Sequence, residues 1–214
     1  MNRLENSEFL YDSNNFGSAL SNDSTIGHSY KLLRQTYDVT PSQLTSTGNN
    51  TFKTALRLTN SASGQQYIGL VAPIKAQTLA PMLGQVIKAS AYVRTNISQD
   101  VNIAIVWQTT TADSPTTSLV NLWTSTSYIS GSFFISGTSP LDDSSVTSVS
   151  TTSVTANTWT QVSTSITVPV TATNLMMFIW PKNQVAASAT FDVTGTAIYE
   201  SASHYRDWET MNIS

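Results

Sequence analysis

Gln85-Val86-Ile87-Lys88-Ala89-Ser90-Ala91-Tyr92-Val93-Arg94 decides how the rest of this 214-residue chain is read. Ile87, Ala89, Ala91 and Val93 alternate with Val86, Lys88, Ser90, Tyr92 and Arg94, so a strand of period two can bury the first set while Lys88 and Arg94 reach water. The same alternation runs through Val101, Ile103, Ile105 and Trp107, through Phe52 to Leu58, through Thr158 to Val168, and through Phe191, Val193, Ala197 and Tyr199. Less regular strand candidates are Tyr30 to Val39, Gln66 to Val71, Leu119 to Trp123, Ser132 to Ser136 and Asn174 to Trp180. Turn chemistry punctuates them, as in Thr47-Gly48-Asn49-Asn50, Ser63-Gly64 and Pro181-Lys182-Asn183.

About ten strands with no helical periodicity between them imply antiparallel pairing, and a half-solvated sheet of that size curls or splits into two layers. The predicted fold is therefore all-β, a two-sheet antiparallel β-sandwich of jelly-roll type. Composition agrees, because Val and Thr are stiff at χ1 and fit a pleated surface. No internal repeat is visible, so residues 1–214 are read as a single domain. A Ser/Thr-rich loop or excursion is expected at about 136–157 and a C-terminal tail at about 201–214.

Serine and threonine together fill 63 positions, while charged residues make up 11% of the chain against a usual value of about 25%. Twenty aromatic side chains argue that this polar chain nevertheless buries a core. Ten scattered Lys and Arg against thirteen Asp and Glu offer no footprint for nucleic acid. The longest apolar run, Leu175 to Trp180, is six residues, far short of the roughly 20 that a membrane helix needs. Neither nucleic acid nor membrane is expected as a partner. Without cysteine there is no disulfide and no thiolate ligand for zinc. Glu5 and Glu8 stand where a secretory leader would be apolar, so none is expected. From Ser144 to Pro181 the chain carries no charge, and strands without charge are adhesive at their edges, which hints at contact with other subunits.

Nothing in the sequence assembles a catalytic site. His28 and His204 lie in no Ser-His-Asp or Glu-x-x-His grouping, and no nucleophile elbow or phosphate-binding glycine loop occurs. A depolymerase would need two carboxylates at a fixed separation, and Asp38, Asp100, Asp113, Asp142, Asp143 and Asp192 are scattered. Asp142-Asp143 reads as a solvated turn rather than a calcium site. No catalytic residue, metal ligand or cofactor is expected, and the chain reads as non-enzymatic. Among the aromatic residues, Trp107, Trp123 and Tyr128 fall at strand ends or in loops, where flat rings can stack on sugars; the competing reading is core or subunit packing. Trp159 and Trp180 read as packing residues of strands. Tyr205, Arg206 and Trp208 belong to the densest mixed aromatic and charged cluster, a candidate contact with the sandwich or with a neighbouring subunit.

The order of motifs resembles a known family. Arg3-Leu4-Glu5-Asn6-Ser7-Glu8-Phe9, the strand Leu83 to Arg94, Trp159-Thr160-Gln161-Val162, Asn174 to Trp180, Phe191-Asp192-Val193 to Ile198-Tyr199-Glu200, and Tyr205-Arg206 are similar, in this order, to jelly-roll modules of bacteriophage tail fibres, head fibres and capsid decoration proteins, relatives in shape of carbohydrate-binding modules. The resemblance implies a virion structural protein without catalysis. Because the pattern starts at Met1, a free-standing capsid decoration (cement) protein is expected. It would be made in the host bacterial cytoplasm, sit on the virion's capsid surface as a homotrimer, and have the major capsid protein as partner, with Tyr205, Arg206 and Trp208 as candidate subunit or capsid contacts. The alternative is a tail-fibre or head-fibre module that recognises a host surface glycan through Trp107, Trp123 or Tyr128.

Overall fold

The computed structural model describes residues 16–20, 24–26, 30–48, 51–61, 63–109 and 149–200. They form eleven strands: β1 (Thr25–Ile26), β2 (Tyr30–Arg34), β3 (Val39–Leu44), β4 (Ala55–Asn60), β5 (Ile68–Ile74), β6 (Val86–Thr95), β7 (Gln99–Gln108), β8 (Val149–Val154), β9 (Thr160–Thr167), β10 (Asn174–Pro181) and β11 (Thr190–Glu200). A single helical turn, α1 (Ala76–Leu79), and a short 3₁₀ turn, Ala80–Met82, join β5 to β6. The strands make two antiparallel sheets, one of six in the order β1-β2-β5-β10-β7-β8 and one of five in the order β3-β4-β11-β6-β9. This is the β-sandwich expected from the alternation. The predicted strands at Leu119 to Trp123 and Ser132 to Ser136, and the tail from residue 201, lie outside the described residues.

The core lies between the sheets. Leu32, Leu70, Ile103, Ile105, Met177 and Ile179 meet Leu56, Leu58, Ala89, Ala91, Val93 and Phe191 across it, all buried. A hydrogen bond between the hydroxyls of Tyr30 in β2 and Thr196 in β11 spans this layer, with the oxygens 2.6 Å apart. Burial pushes the Tyr30 phenol well above its usual value, so the group stays neutral and able to bond.

Two of the predicted strands depart from simple alternation. Tyr30 to Val39 is not one strand, because the chain turns at Gln35 to Asp38 and passes from one sheet to the other. Its continuation, β3, contains Pro41, which an edge strand tolerates because a missing N–H there breaks no ladder. β10 is buried at all eight positions. Its inward residues join the main core, whereas Met176, Phe178 and Trp180 join Leu33, Val71 and Val106 in a second apolar cluster on the opposite side of the six-stranded sheet. The Phe178 and Trp180 rings stack there with centroids 4.2 Å apart. A strand covered on both faces needs no polar residue every second position, so it reads as a continuous apolar run.

β8 lies within the Ser/Thr-rich stretch at 136–157, and its hydroxyls explain how so polar a segment pairs. The Thr151 hydroxyl bonds Asn102 Oδ1 at 2.7 Å, and the Ser153 hydroxyl bonds Asp100 Oδ1 at 2.6 Å, each across the ladder to β7. Lys182 adds an ion pair to Asp100 at 3.3 Å. Together the Ser153 hydroxyl and then the Lys182 ammonium hold the Asp100 carboxyl below its ordinary range, against a smaller opposing effect of burial.

A carboxylate that is harder to protonate when folded stabilises the protein above the unfolded-state pKa, about 3.9, and that contribution is lost as pH falls through the lower folded-state value. Unfolding midpoints measured by denaturant titration between pH 6 and pH 2 should therefore fall less steeply below pH 4 in Asp100→Asn than in the parent chain. Equal acid slopes would show that this pair contributes nothing.

Candidate functional site

The outward face of the five-stranded sheet carries the chemistry. Asp192, in the central strand β11, stands directly opposite Arg57 on β4 and Arg94 on β6, and opposed residues of an antiparallel pair have Cβ atoms about 5 Å apart. Arg57 donates from Nε to Oδ1 at 2.8 Å and from Nη2 to Oδ2 at 2.9 Å, a side-on bidentate pair. Arg94 donates from Nε to Oδ2 at 2.9 Å, with its Nη2 2.8 Å from the same oxygen. The carboxylate is 1% exposed, while the Arg57 and Arg94 side chains keep 32% and 20% of their surface. Hydrogen bonding to Asp192 raises the Arg57 pKa further still. Both oxygens of Asp192 are thus occupied, so it is neither a free base nor an acid.

The β3–β4 connection crosses this face and fixes it. The Thr47 carbonyl accepts hydrogen bonds from Arg94 Nη1 at 3.2 Å and from Trp159 Nε1 at 2.8 Å, and the Thr47 hydroxyl donates to the Phe52 carbonyl. The Arg94 guanidinium lies 4.7 Å from the centroid of the Trp159 ring, a cation–π contact. Phe52 packs on Tyr92 with ring centroids 5.1 Å apart, and the Thr194 hydroxyl donates to the Thr54 carbonyl at 2.6 Å. Phe52 can lie this close because β11 bulges between Thr194 and Ala197 and places Gly195 at φ +55°; a Cβ there would sit 2.3 Å from the Phe52 ring.

Around this fixed cluster several polar groups stay free. Among the described residues, Arg57 Nη1 has no hydrogen-bond partner, nor do the hydroxyls of Ser42, Thr59 and Thr190, which share its face; Ser42 is directly opposite Arg57, and Thr190 is opposite Thr59. Trp159, Tyr92 and Tyr199 are partly exposed on the same side of the sheet. From β4 to the start of β9 the face spans three strand spacings, about 14 Å. No cluster of three or more metal-binding side chains occurs among the described residues.

The residues singled out from the sequence lie elsewhere. Trp107 is next to last in β7, in register with the inward Leu175, and packs half-buried against the core. Trp123, Tyr128, Tyr205, Arg206 and Trp208 are outside the described residues, as are both histidines. Arg57, Arg94, Asp192 and Trp159 were not recognised as a cluster. Lys88 and Arg94 are on the outward side as the alternation requires, but Arg94 spends its donors on Asp192 and Thr47 rather than on water. Cationic and acidic residues at outward positions of three separate strands were the available signal, and only the strand register brings them together.

No family model matches the sequence, and no curated protein matches it. Solved structures share the fold. The chain is similar to the enzymatically active domain of tailspike protein 4 of bacteriophage CBA120, with a TM-score of 0.54 and 12% identity over 94% of this chain and 21% of that one. It is also similar to a candidate sugar binding protein of Bacteroides thetaiotaomicron, with a TM-score of 0.53 and 11% identity over 94% of this chain and the whole of the other. TmCBM61, solved in complex with β-1,4-galactotriose, gives a TM-score of 0.51 and 8% identity over 94% of this chain and 99% of that one. The chain spans about a fifth of the tailspike structure's own length but essentially all of the other two. At such identities the likeness is one of fold.

Asp192→Asn leaves two guanidiniums facing each other without a counter-charge. Breaking a buried ion pair costs about 3–5 kcal/mol; because the guanidiniums keep contact with water, a loss of about 2–3 kcal/mol is expected in urea unfolding. Gly195→Ala should cost about 1–2 kcal/mol for the left-handed backbone alone, with a further steric share. Adding Phe52→Ala should recover the steric share only, which a double-mutant cycle would resolve.

Proposed function

We propose that this chain is a non-enzymatic glycan-binding module of a bacteriophage tail fibre or head fibre, and that the outward face of its five-stranded sheet receives the sugar. The observation that carries the reading is the combination of rigidity and free valence on that face. Arg94, Asp192 and Trp159 are held by one another and by the Thr47 carbonyl, while the outer edge of Arg57 and three hydroxyls have no partner among the described residues. A sugar offers hydroxyls for the second group and C–H surfaces for partly exposed rings, and a site that is already ordered loses little entropy on binding. Support comes also from the fold, which is shared with a protein solved in complex with β-1,4-galactotriose, with a candidate sugar binding protein and with a phage tailspike domain.

The capsid-decoration reading, with its major capsid protein partner and homotrimer, gains no support from these three neighbours. The charge-free stretch from Ser144 to Pro181, read as a hint of contact with other subunits, has an explanation within the sheets for two of its three strands. β8 pairs with β7 through its hydroxyls, and β10 is buried on both faces, so neither strand needs a charge.

Trp159→Ala should weaken binding on a glycan array by about tenfold or more, the usual cost of removing an aromatic anchor, with an unchanged far-ultraviolet circular dichroism spectrum. Absence of any glycan binding by the parent chain would remove this reading.

A further inference from the structure

We propose that the sugar taken by this face is acidic, and that Arg57 receives its carboxylate. The inference rests on the glycan-binding reading above and concerns the same site. On the outward face and its crossing loop, the described residues include four cations, Lys53, Arg57, Lys88 and Arg94, against one carboxylate, Asp192. Two carboxylates elsewhere are already engaged, Asp38 by Arg34 and Asp100 by Lys182. Glu200, at the end of β11, is in register with the inward Ile87. Asp192 therefore neutralises one guanidinium of its pair and leaves a positive charge at a site where the counter-ion itself is 1% exposed. The net charge of -3 for the whole chain makes this local excess more pointed.

Guanidinium geometry says which cation takes the ligand. Arg94 uses Nε and Nη2 on Asp192 and Nη1 on the Thr47 carbonyl, and its flat side covers Trp159. Arg57 uses only its Nε–Nη2 side, so its Nη1–Nη2 end points away from Asp192 with donors to spare. A planar end with parallel N–H groups matches the two oxygens of a carboxylate. Lysine presents a point charge instead, which fits Lys53 and Lys88 for long-range attraction rather than alignment. Beside Arg57 lie the unpartnered hydroxyls of Ser42, directly opposite on β3, and Thr59, two residues along β4 and about 7 Å away on the same face. Hydroxyls flanking a free guanidinium edge suit a sugar that carries both hydroxyls and a carboxylate, and a neutral sugar would leave the charge unanswered.

The test is a glycan array bearing neutral, carboxylated (uronate or sialate) and sulfated oligosaccharides, probed with the full chain at low and high salt, with Arg57→Gln and Ser42→Asp as variants. Ser42→Asp supplies a competing carboxylate across the ladder from Arg57 and keeps all three charges of the cluster. Binding should be confined to carboxylated glycans, should weaken with added salt, and should fall at least about tenfold in both variants, with the Ser42→Asp melting temperature no lower than that of the parent. Equal binding of neutral glycans, binding of sulfated glycans alone, or undiminished carboxylate binding by both variants would overturn the acidic assignment and leave the sugar reading standing. Failure to bind any glycan would overturn both.

Discussion

A carboxylate placed in the central strand of a sheet has to be answered from both sides, and Asp192 imposes that condition on the five-stranded layer. Arg57 and Arg94 satisfy it only if β4, β11 and β6 are held in the observed register, since a slip of one residue would turn each charged side chain into the apolar core. The ion cluster and the alternating core therefore specify the same pairing from opposite faces of the same strands. Everything else on the outward face follows from this anchor: the position of Arg94 sets that of Trp159, and the Thr47 carbonyl that caps both draws the β3–β4 connection across the sheet.

The fold was legible where a strand has one wet face. β6 and β9 show period two, and the structure places their apolar sets inward as expected. Legibility failed where neighbours rather than water decide a side chain's environment. β10 has no period because both of its faces are covered, and β8 looked like a polar excursion because its Ser and Thr bond to Asn102 and Asp100 across the ladder. The candidate site was less legible still. Alternation placed Arg94 outward, but no local pattern says that residues 57, 94, 159 and 192 converge, because their proximity is a property of strand order. Trp107, chosen for its place at a strand end, follows the inward parity of Ile103 and Ile105, which the same alternation already contained.

The abundance of hydroxyls resolves into separate uses. Some are structural, as Thr196 bonded to Tyr30 between the sheets or Thr194 bonded to the Thr54 carbonyl over the bulge. Others replace charged residues in cross-strand pairs. A third group, Ser42, Thr59 and Thr190, is spent on nothing within the described residues, and it is this group that borders the free edge of Arg57. Composition alone does not separate these uses.

Each sheet takes an inner strand from the last two described strands: β10 lies between β5 and β7, and β11 between β4 and β6. During synthesis, then, the six-stranded layer cannot close until Pro181 has left the ribosome, nor the five-stranded layer until Glu200 or so has. Until that moment β5 and β7, and likewise β4 and β6, have no partner to bridge them, and their apolar sides stay open to solvent. Assembly thus waits on sequence-distant pairings in both layers, the regime of slow folding and of vulnerability to aggregation in stalled chains.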